Sequence, residues 1–140
     1  MMFLFGCRSD NERGSASYLN VIDQAEQEQF EIDYGNSDKF TEEEIKSAIK
    51  CVTNNFTFPD SILTKLWYDE SKSSIDIKFY LENGRGATNG VQAENVIVIY
   101  TDFVTGSNNP VLSKGEHTNY MWILIRDSGE SAWMIDDQGY

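Results

Sequence analysis

The chain has 140 residues, which is enough for one domain whose core needs neither a disulfide nor a metal for folding. It carries 23 Asp and Glu against 11 Lys and Arg, a formal net charge of -12. This shortage of cations argues against binding to nucleic-acid phosphates and against direct adhesion to anionic lipids. The acidity is typical of a solubilising surface, and the alternative interpretation is a site for a cation or a basic partner.

The start of the chain is similar to the end of a bacterial lipoprotein signal. Leu4-Phe5-Gly6-Cys7 places a small residue before a cysteine, although the apolar segment before it is shorter than a complete signal needs. We expect Cys7 to be the lipid attachment site, and the alternative is an apolar segment without that role. Residues 8–16 are polar and rich in Ser, as in flexible linkers, and residues 20–31 predict more linker or a weak helix.

These features divide the chain into two parts. Residues 1–32 are predicted to be a signal remnant and flexible linker, and residues 33–140 a single α+β domain. No stretch approaches the roughly 20 apolar residues that cross a bilayer, so any attachment to a membrane is expected to be through an anchor. The lipoprotein-like start predicts an extracytoplasmic protein, lipid-anchored or otherwise secreted. A disulfide between Cys7 and Cys51 is not expected, because it would tie a flexible tail to a helix. Cys51 is instead interpreted as a small core residue.

Residues 40–56 carry the clearest helix signal. Thr41 and Glu44 have the spacing of a capping box, and three consecutive glutamates place negative charge in the first turn, where the helix dipole favours it. Apolar residues then recur at helical spacing. They are Ile45, Ala48, Ile49, Val52 and Phe56. The pattern predicts an amphipathic helix with one buried stripe.

The rest of the chain predicts a sheet. Residues 75–81 are either a strand or a short helix, since their apolar residues alternate at first, and residues 83–90 are typical of a flexible loop. The predicted strands are residues 63–69, 95–104, 119–126 and 132–136, with a polar loop at 106–118 and a hairpin connection at 127–130. Strands with apolar residues on both faces predict that both faces are covered or that one face lines a cavity. The simplest arrangement is a curved antiparallel sheet of about four strands around the helix at 40–56.

Several segments together carry a resemblance to a family. They are Phe40-Thr41-Glu42-Glu43-Glu44-Ile45, Leu63-Thr64-Lys65-Leu66-Trp67-Tyr68-Asp69, Asn95-Val96-Ile97-Val98-Ile99, Asp102-Phe103, Trp122-Ile123-Leu124-Ile125-Arg126-Asp127, Trp133 and Gly139-Tyr140. This pattern, over about residues 40–140, resembles small lipoprotein domains of unknown function from Gram-positive gut bacteria (Firmicutes). The order of elements resembles cystatin-like and nuclear-transport-factor-two-like folds. The resemblance implies an N-terminal helix packed on a curved sheet and assigns no catalytic residue.

Four residues are candidates for a pocket. Asp102 ends an apolar strand, where it could act as a general base at a cavity mouth, and the favoured alternative is a strand-end cap or a pair with Lys65 or Arg126. Tyr68, Trp67 and Trp122 could line a pocket for a flat or apolar ligand, and the favoured alternative is that they are core residues.

Other polar residues have a simpler interpretation. Arg126 is expected to form a salt bridge and Asp127 a turn bond. His117 is expected to be exposed in a loop, without a catalytic partner. Asp136 and Asp137 are adjacent, so in a strand they are expected to point to opposite faces, which disfavours a joint metal site. We expect no metal and no cofactor.

Three functions are compatible with these observations. The first is a non-enzymatic, surface-anchored module for an unknown protein or small-molecule ligand. The second is a small-molecule enzyme with a pocket at the open end of the curved sheet. The third is a cystatin-like inhibitor, against which the polar loops at 83–90 and 106–118 argue, because an inhibitor needs an exposed apolar loop.

Overall fold

The computed structural model describes residues 30–140, in which helices and strands are both present. The helices are α1 (Glu42–Asn55), α2 (Glu70–Asn83) and the short α3 (Gly86–Asn89), and a 3₁₀ turn spans Ala93–Asn95. The strands are β1 (Glu31–Asp33), β2 (Ser61–Trp67), β3 (Val96–Thr105), β4 (Gly115–Ile125) and β5 (Met134–Gly139). The α+β class expected from the sequence is confirmed.

The five strands form one mixed sheet in the order β1-β2-β3-β4-β5. β1 runs parallel to β2, and the other neighbours are antiparallel. The expectation of about four antiparallel strands is therefore wrong in strand number and in the direction of one edge strand. β1 has only three residues, Glu-Ile-Asp, which is too short for an alternating pattern to identify a strand.

Helix α1 covers one face of the sheet, as its sequence predicts. The Thr41 side chain accepts a hydrogen bond from the Glu44 amide, and the Glu44 carboxylate accepts one from the Thr41 amide. The predicted stripe is buried at Ile45, Ala48, Ile49 and Val52. It packs with Ile97, Ile99, Phe103, Trp122 and Leu124, which point to this face from β3 and β4.

Helix α2 covers the opposite face and resolves the uncertain segment at 75–81. Asp69 caps its N-terminus by accepting a hydrogen bond from the Lys72 amide. Ile77 and Tyr80 are buried against Val96, Val98 and Tyr100 of β3, which alternate with the residues that face α1. Both faces of β3 are therefore covered, and the sheet lies between two helices rather than around one.

Cys51 lies in the part of α1 that faces the core. It is fully buried, and its Sγ lies 3.8 Å from the carbonyl oxygen of Trp133. It is disulfide-bonded, and the part of the chain that the structure describes contains no free cysteine. The interpretation of Cys51 as an unbonded core residue is therefore wrong, while its buried position is as expected. Cys7, the predicted lipid attachment site, lies outside the described residues.

Candidate functional site

The four residues predicted to line a pocket do not meet at one place. Tyr68 and Trp122 are buried in the cluster under α1, whereas Trp67 packs with the cluster under α2. Trp67 and Tyr68 are consecutive at the end of a strand, so their side chains go to opposite faces. Asp102 lies on β3 at an irregularity of the pairing with β4.

Tyr68 and Trp122 are core residues whose polar groups form hydrogen bonds within the protein. The Tyr68 hydroxyl donates to Glu70 Oε1 at 2.7 Å, and Trp122 Nε1 donates to Thr101 Oγ1 at 2.9 Å. The Trp122 ring stacks on Phe58 with 5.6 Å between ring centroids. Buried Tyr and Trp usually have such partners, and these contacts leave no polar group of either side chain directed at a ligand.

Asp102 stabilises a local turn of the backbone. Its carboxylate accepts a hydrogen bond of 2.9 Å from the amide of Asn119, whose φ of 59° lies in the left-handed region. Lys65 stands opposite Asp102 across the β2–β3 pairing. The carboxylate therefore holds the β3–β4 pairing at its irregularity and does not cap a strand end, since β3 continues to Thr105.

Arg126 connects the end of β4 to α1. Its Nη1 lies 2.6 Å from Glu44 Oε2, its Nε donates to Asn95 Oδ1 at 3.2 Å, and its guanidinium lies 4.4 Å from the centre of the Trp133 ring. The expected salt bridge of Arg126 is confirmed. The arginine is buried and fully engaged with protein groups, so it acts as a structural residue.

His117 is buried in β4, so the expectation of an exposed loop histidine is wrong. The sequence there is polar, but its ring stacks on Phe103 with 4.9 Å between centroids. His117 Nε2 lies 2.8 Å from the carbonyl oxygen of Ser113, which can only accept, so Nε2 carries the hydrogen in the neutral ring. The other nitrogen, Nδ1, then accepts a hydrogen bond from the hydroxyl of Tyr140.

A cleft of about 180 Å³ opens between α2 and the β4–β5 pair. Met121 and Ile123 of β4 form its apolar floor, Phe79 and Tyr140 contribute aromatic rings, and Asp76 and Asp137 contribute carboxylates. Its lining also includes Tyr80, Gly84, Gln138 and Gly139. Carboxylates beside apolar and aromatic side chains are the composition expected of a ligand site with a few polar groups that fix orientation.

A bulge in β5 brings two aspartates to this side of the sheet. Asp137 pairs with Ile123 and Ile135 pairs with Leu124, so Asp136 has no partner on β4. Asp136 Oδ2 accepts a hydrogen bond of 2.5 Å from the Tyr80 hydroxyl, and Asp137 lines the cleft. The expectation that the two carboxylates point to opposite faces is wrong, because the extra residue interrupts the strand alternation.

Two tyrosine hydroxyls hold the carboxylates around the cleft. Tyr100 donates to Asp76 Oδ2 at 2.6 Å, just as Tyr80 donates to Asp136. Burial raises the pKa of both tyrosines, and the acceptor carboxylates raise it further. Both hydroxyls therefore remain protonated donors at neutral pH and fix the positions of these aspartates.

The aspartates do not form a metal centre. Within residues 30–140, no group of three or more His, Cys, Asp or Glu side chains is arranged to hold a metal ion. Sequence reasoning missed Asp76, Phe79, Met121 and Tyr140 as site residues. Reading residues 70–83 as a helix could have found Phe79, which lies one turn from Ile75, whereas the other three residues join the cleft only through the fold.

Comparisons with known proteins identify no relative of this chain. No protein-family model, no curated protein and no solved structure matches it. Among the helices at 42–55, 70–83 and 86–89, none has the length and apolar character needed to cross a membrane. The class that the fold and the cleft define is an α+β domain with a five-stranded mixed sheet between two helices.

Proposed function

We propose that this protein is a non-enzymatic binding module that acts outside the cytoplasm and is anchored at the cell surface. The observation that supports binding is the cleft between α2 and the β4–β5 pair, where Asp76 and Asp137 stand beside an apolar floor and exposed aromatic rings. Such a combination provides both apolar contact area and orienting polar groups.

The lining of the cleft favours binding over chemistry. It contains no Ser, Thr, Cys, Lys or His side chain, so it offers no amine, thiol, imidazole or aliphatic hydroxyl as a nucleophile. An enzyme in this cleft would have to rely on the carboxylates of Asp76 and Asp137 and on the hydroxyls of Tyr80 and Tyr140. The buried histidine, His117, already uses both ring nitrogens in contacts with Ser113 and Tyr140.

Binding can be tested with a fragment library and ¹H–¹⁵N NMR spectra of the full chain. We expect the ligands found to shift the amides of Met121, Ile123, Gly139 and Tyr140, because these residues line the cleft. Met121→Trp should block binding by filling the floor. Met134→Trp is the matched control, because Met134 pairs with Ile125 and does not line the cleft.

Two results would contradict this proposal. Shifts confined to amides elsewhere, or no shift with any fragment, would exclude the cleft as a binding site. Chemical conversion of a fragment that is lost in Asp76→Asn or Asp137→Asn would favour the enzyme alternative, since a binding module returns its ligand unchanged.

The proposed location rests on the two cysteines. Gly6-Cys7 resembles a lipidation site, and disulfides such as that of Cys51 persist in oxidising, extracytoplasmic compartments. The chain has two cysteines, so a thioether to lipid at Cys7 and a disulfide between Cys7 and Cys51 exclude each other within one molecule. The anchored form requires the thioether and is supported by the Gly6-Cys7 motif alone, whereas the disulfide of Cys51 supports the secreted form.

Palmitate labelling in a Gram-positive host tests the anchor, with expression from the natural upstream sequence. We expect label on the full protein and none on Cys7→Ser, while Cys51→Ser keeps the label. Mass spectrometry of the unreduced protein provides the second readout. A peptide pair linked through Cys7 and Cys51, without lipid, would overturn the anchor and leave the secreted form.

A further inference from the structure

We infer that the cleft between α2 and the β4–β5 pair takes a lysine or arginine side chain from a peptide segment in which an apolar residue stands next to the basic one. This inference rests on the proposed binding function and specifies its ligand. Three features of the cleft support it: its charge, its size and the apolar surface beside it.

The charge of the cleft favours a cation. Asp76 stands on α2 and Asp137 on β5, and no Lys, Arg or His side chain is among the lining residues. A ligand anion would meet two carboxylates of its own charge and be repelled. A protonated amine or guanidinium would instead form charge-assisted hydrogen bonds with them.

Both carboxylates retain acceptor capacity. Asp76 uses Oδ2 to accept from the Tyr100 hydroxyl, and the same oxygen lies 3.9 Å from Lys72 Nζ. Asp137 uses Oδ1 to accept from the Gln138 amide at 2.9 Å. Within residues 30–140, the second oxygen of each carboxylate has no hydrogen-bond donor.

The cations near the cleft leave its carboxylates in excess. Lys72 lies 4.4 Å from the centre of the Tyr100 ring and is close to Asp76, and Arg85 Nε lies 3.4 Å from Asp136 Oδ1. Lys72 therefore accompanies Asp76, and Arg85 accompanies Asp136. Asp137 has neither cation as a partner, so it is the first carboxylate that a basic ligand would meet.

The size and lining of the cleft suit a long basic side chain. A volume of about 180 Å³ is below the roughly 300–1,000 Å³ of drug-sized ligand pockets, so it suits a single side chain better than a larger molecule. Met121 and Ile123 offer an apolar floor for the methylene stem. The exposed ring of Phe79 or Tyr140 can face the charged end, since aromatic faces attract cations.

The apolar surface outside the cleft favours a peptide over a free amine. Ile75 and Phe79 are 69% and 65% exposed, and their spacing of four residues places them on one face of α2. A small amine would occupy the cleft and leave Ile75 in water. A peptide with an apolar residue next to the basic one would cover both side chains and gain from burying them.

The test measures fluorescence anisotropy of labelled five-residue peptides added to the full chain. The probe is fluorescein-Gly-Leu-Lys-Leu-Gly amide, and the comparison peptides replace Lys with norleucine, which keeps the stem, or with Glu. We expect the lysine peptide to bind about tenfold more tightly than the norleucine peptide, since a hydrogen bond to a charged group is worth that factor. Added salt should lower the affinity for the lysine peptide and leave the affinity for the norleucine peptide unchanged.

Protein variants locate the site. Asp76→Asn and Asp137→Asn should each lower the affinity for the lysine peptide several-fold and leave the affinity for the norleucine peptide unchanged. Glu116→Gln is the matched control, because it removes one charge from an exposed position of β4 outside the cleft. Phe79→Ala should lower the affinity for both peptides. Ile62→Ala truncates a similarly exposed residue of β2 and should leave both affinities unchanged.

Each contrary result has a separate meaning. Equal affinity of the lysine and norleucine peptides, or equal effects of Asp137→Asn and Glu116→Gln, would overturn the cation inference and leave the binding module intact. Butylamine is the test for a free amine. If it binds as tightly as the lysine peptide and its affinity is unchanged by Phe79→Ala, the ligand of the cleft is a free amine and not a peptide. If no peptide binds, the inference fails, while the fragment experiment still judges the proposed function independently.

Discussion

Arg126 Nη1 lies 2.6 Å from Glu44 Oε2, and this ion pair joins the end of β4 to the first turn of α1. Glu44 also closes the capping box of α1, and its carbonyl oxygen accepts from Trp133 Nε1 at 3.2 Å. Trp133 in turn lies under the Arg126 guanidinium. The helix cap, the salt bridge and the packing of Trp133 therefore depend on each other.

Loss of Arg126 should destabilise the fold much more than loss of a surface charge. Arg126→Met leaves Glu44 without its cation in a partly buried site, and we expect a loss of about 3 kcal/mol in the free energy of unfolding, measured by urea denaturation at pH 7. The double variant Arg126→Met/Glu44→Gln should lose less than the sum of the single variants. A loss below about 0.5 kcal/mol would mean that the pair acts as an exposed one.

Stability should fall in acid because two glutamates are more acidic in the folded protein. Burial opposes ionisation of Glu44, but hydrogen bonds from Thr41 and Arg126 outweigh burial and lower its pKa. Hydrogen bonds from Ser37 and Tyr68 lower the pKa of Glu70. The unfolded chain therefore takes up protons first as the pH falls, so this stability is present above about pH 4.5 and is lost below it.

Urea denaturation between pH 7 and pH 3 measures this dependence. Glu44→Gln and Glu70→Gln should each lower stability at pH 7 and flatten its decline in acid, because neither amide titrates. Glu116→Gln, at an exposed position of β4, should retain the slope of the unaltered protein. Identical slopes for all four proteins would show that Glu44 and Glu70 do not account for the acid sensitivity.

The sequence predicts α1 well and α2 poorly, for physical reasons. In α1 the capping pair and the buried stripe occupy positions that local helix geometry alone would assign. In α2 the buried positions include Ser73, while Ile75 and Phe79 are exposed, so the apolar pattern does not mark the face that packs. The short alternation of Ile75, Ile77 and Phe79 also resembles a strand.

The cleft could not be predicted because it depends on contacts between distant segments. Asp137 reaches it through a bulge at Asp136, and a bulge depends on the pairing with β4. Likewise, the polar sequence around His117 indicates a loop, but pairing with β3 buries the ring against Phe103. By contrast, the apolar runs in β3 and β4 left two alternatives, two covered faces or one face lining a cavity, and the structure shows both faces of β3 covered.

His117 should carry its hydrogen on Nε2 in the neutral state. The Ser113 carbonyl oxygen lies 2.8 Å from Nε2 and fixes this tautomer, so ¹⁵N NMR at pH 8 should show a protonated Nε2 and an unprotonated Nδ1. Tyr140→Phe removes the donor to Nδ1 and should cost about 1 kcal/mol of stability without changing the tautomer. A protonated Nδ1 in the neutral ring would contradict this assignment.

Gly86 should tolerate no side chain, because its backbone lies against the ring of Tyr80. A Cβ atom at Gly86 would lie 2.6 Å from Tyr80 Cε2, and Tyr80 cannot swing away without breaking its hydrogen bond to Asp136. We expect Gly86→Ala to cost about 1–3 kcal/mol in the free energy of unfolding, measured by urea denaturation.

Two further variants separate this clash from a general effect of replacing glycine. Gly129→Ala is the matched control and should be neutral, because no atom lies within 4 Å of its added Cβ and its φ is not in the left-handed region. In the Tyr80→Leu background, Gly86→Ala should lower the free energy of unfolding much less than it does in the unaltered protein, since the smaller side chain removes the clash. Equal losses of stability from Gly86→Ala in both backgrounds would show that the Tyr80 ring is not the obstacle.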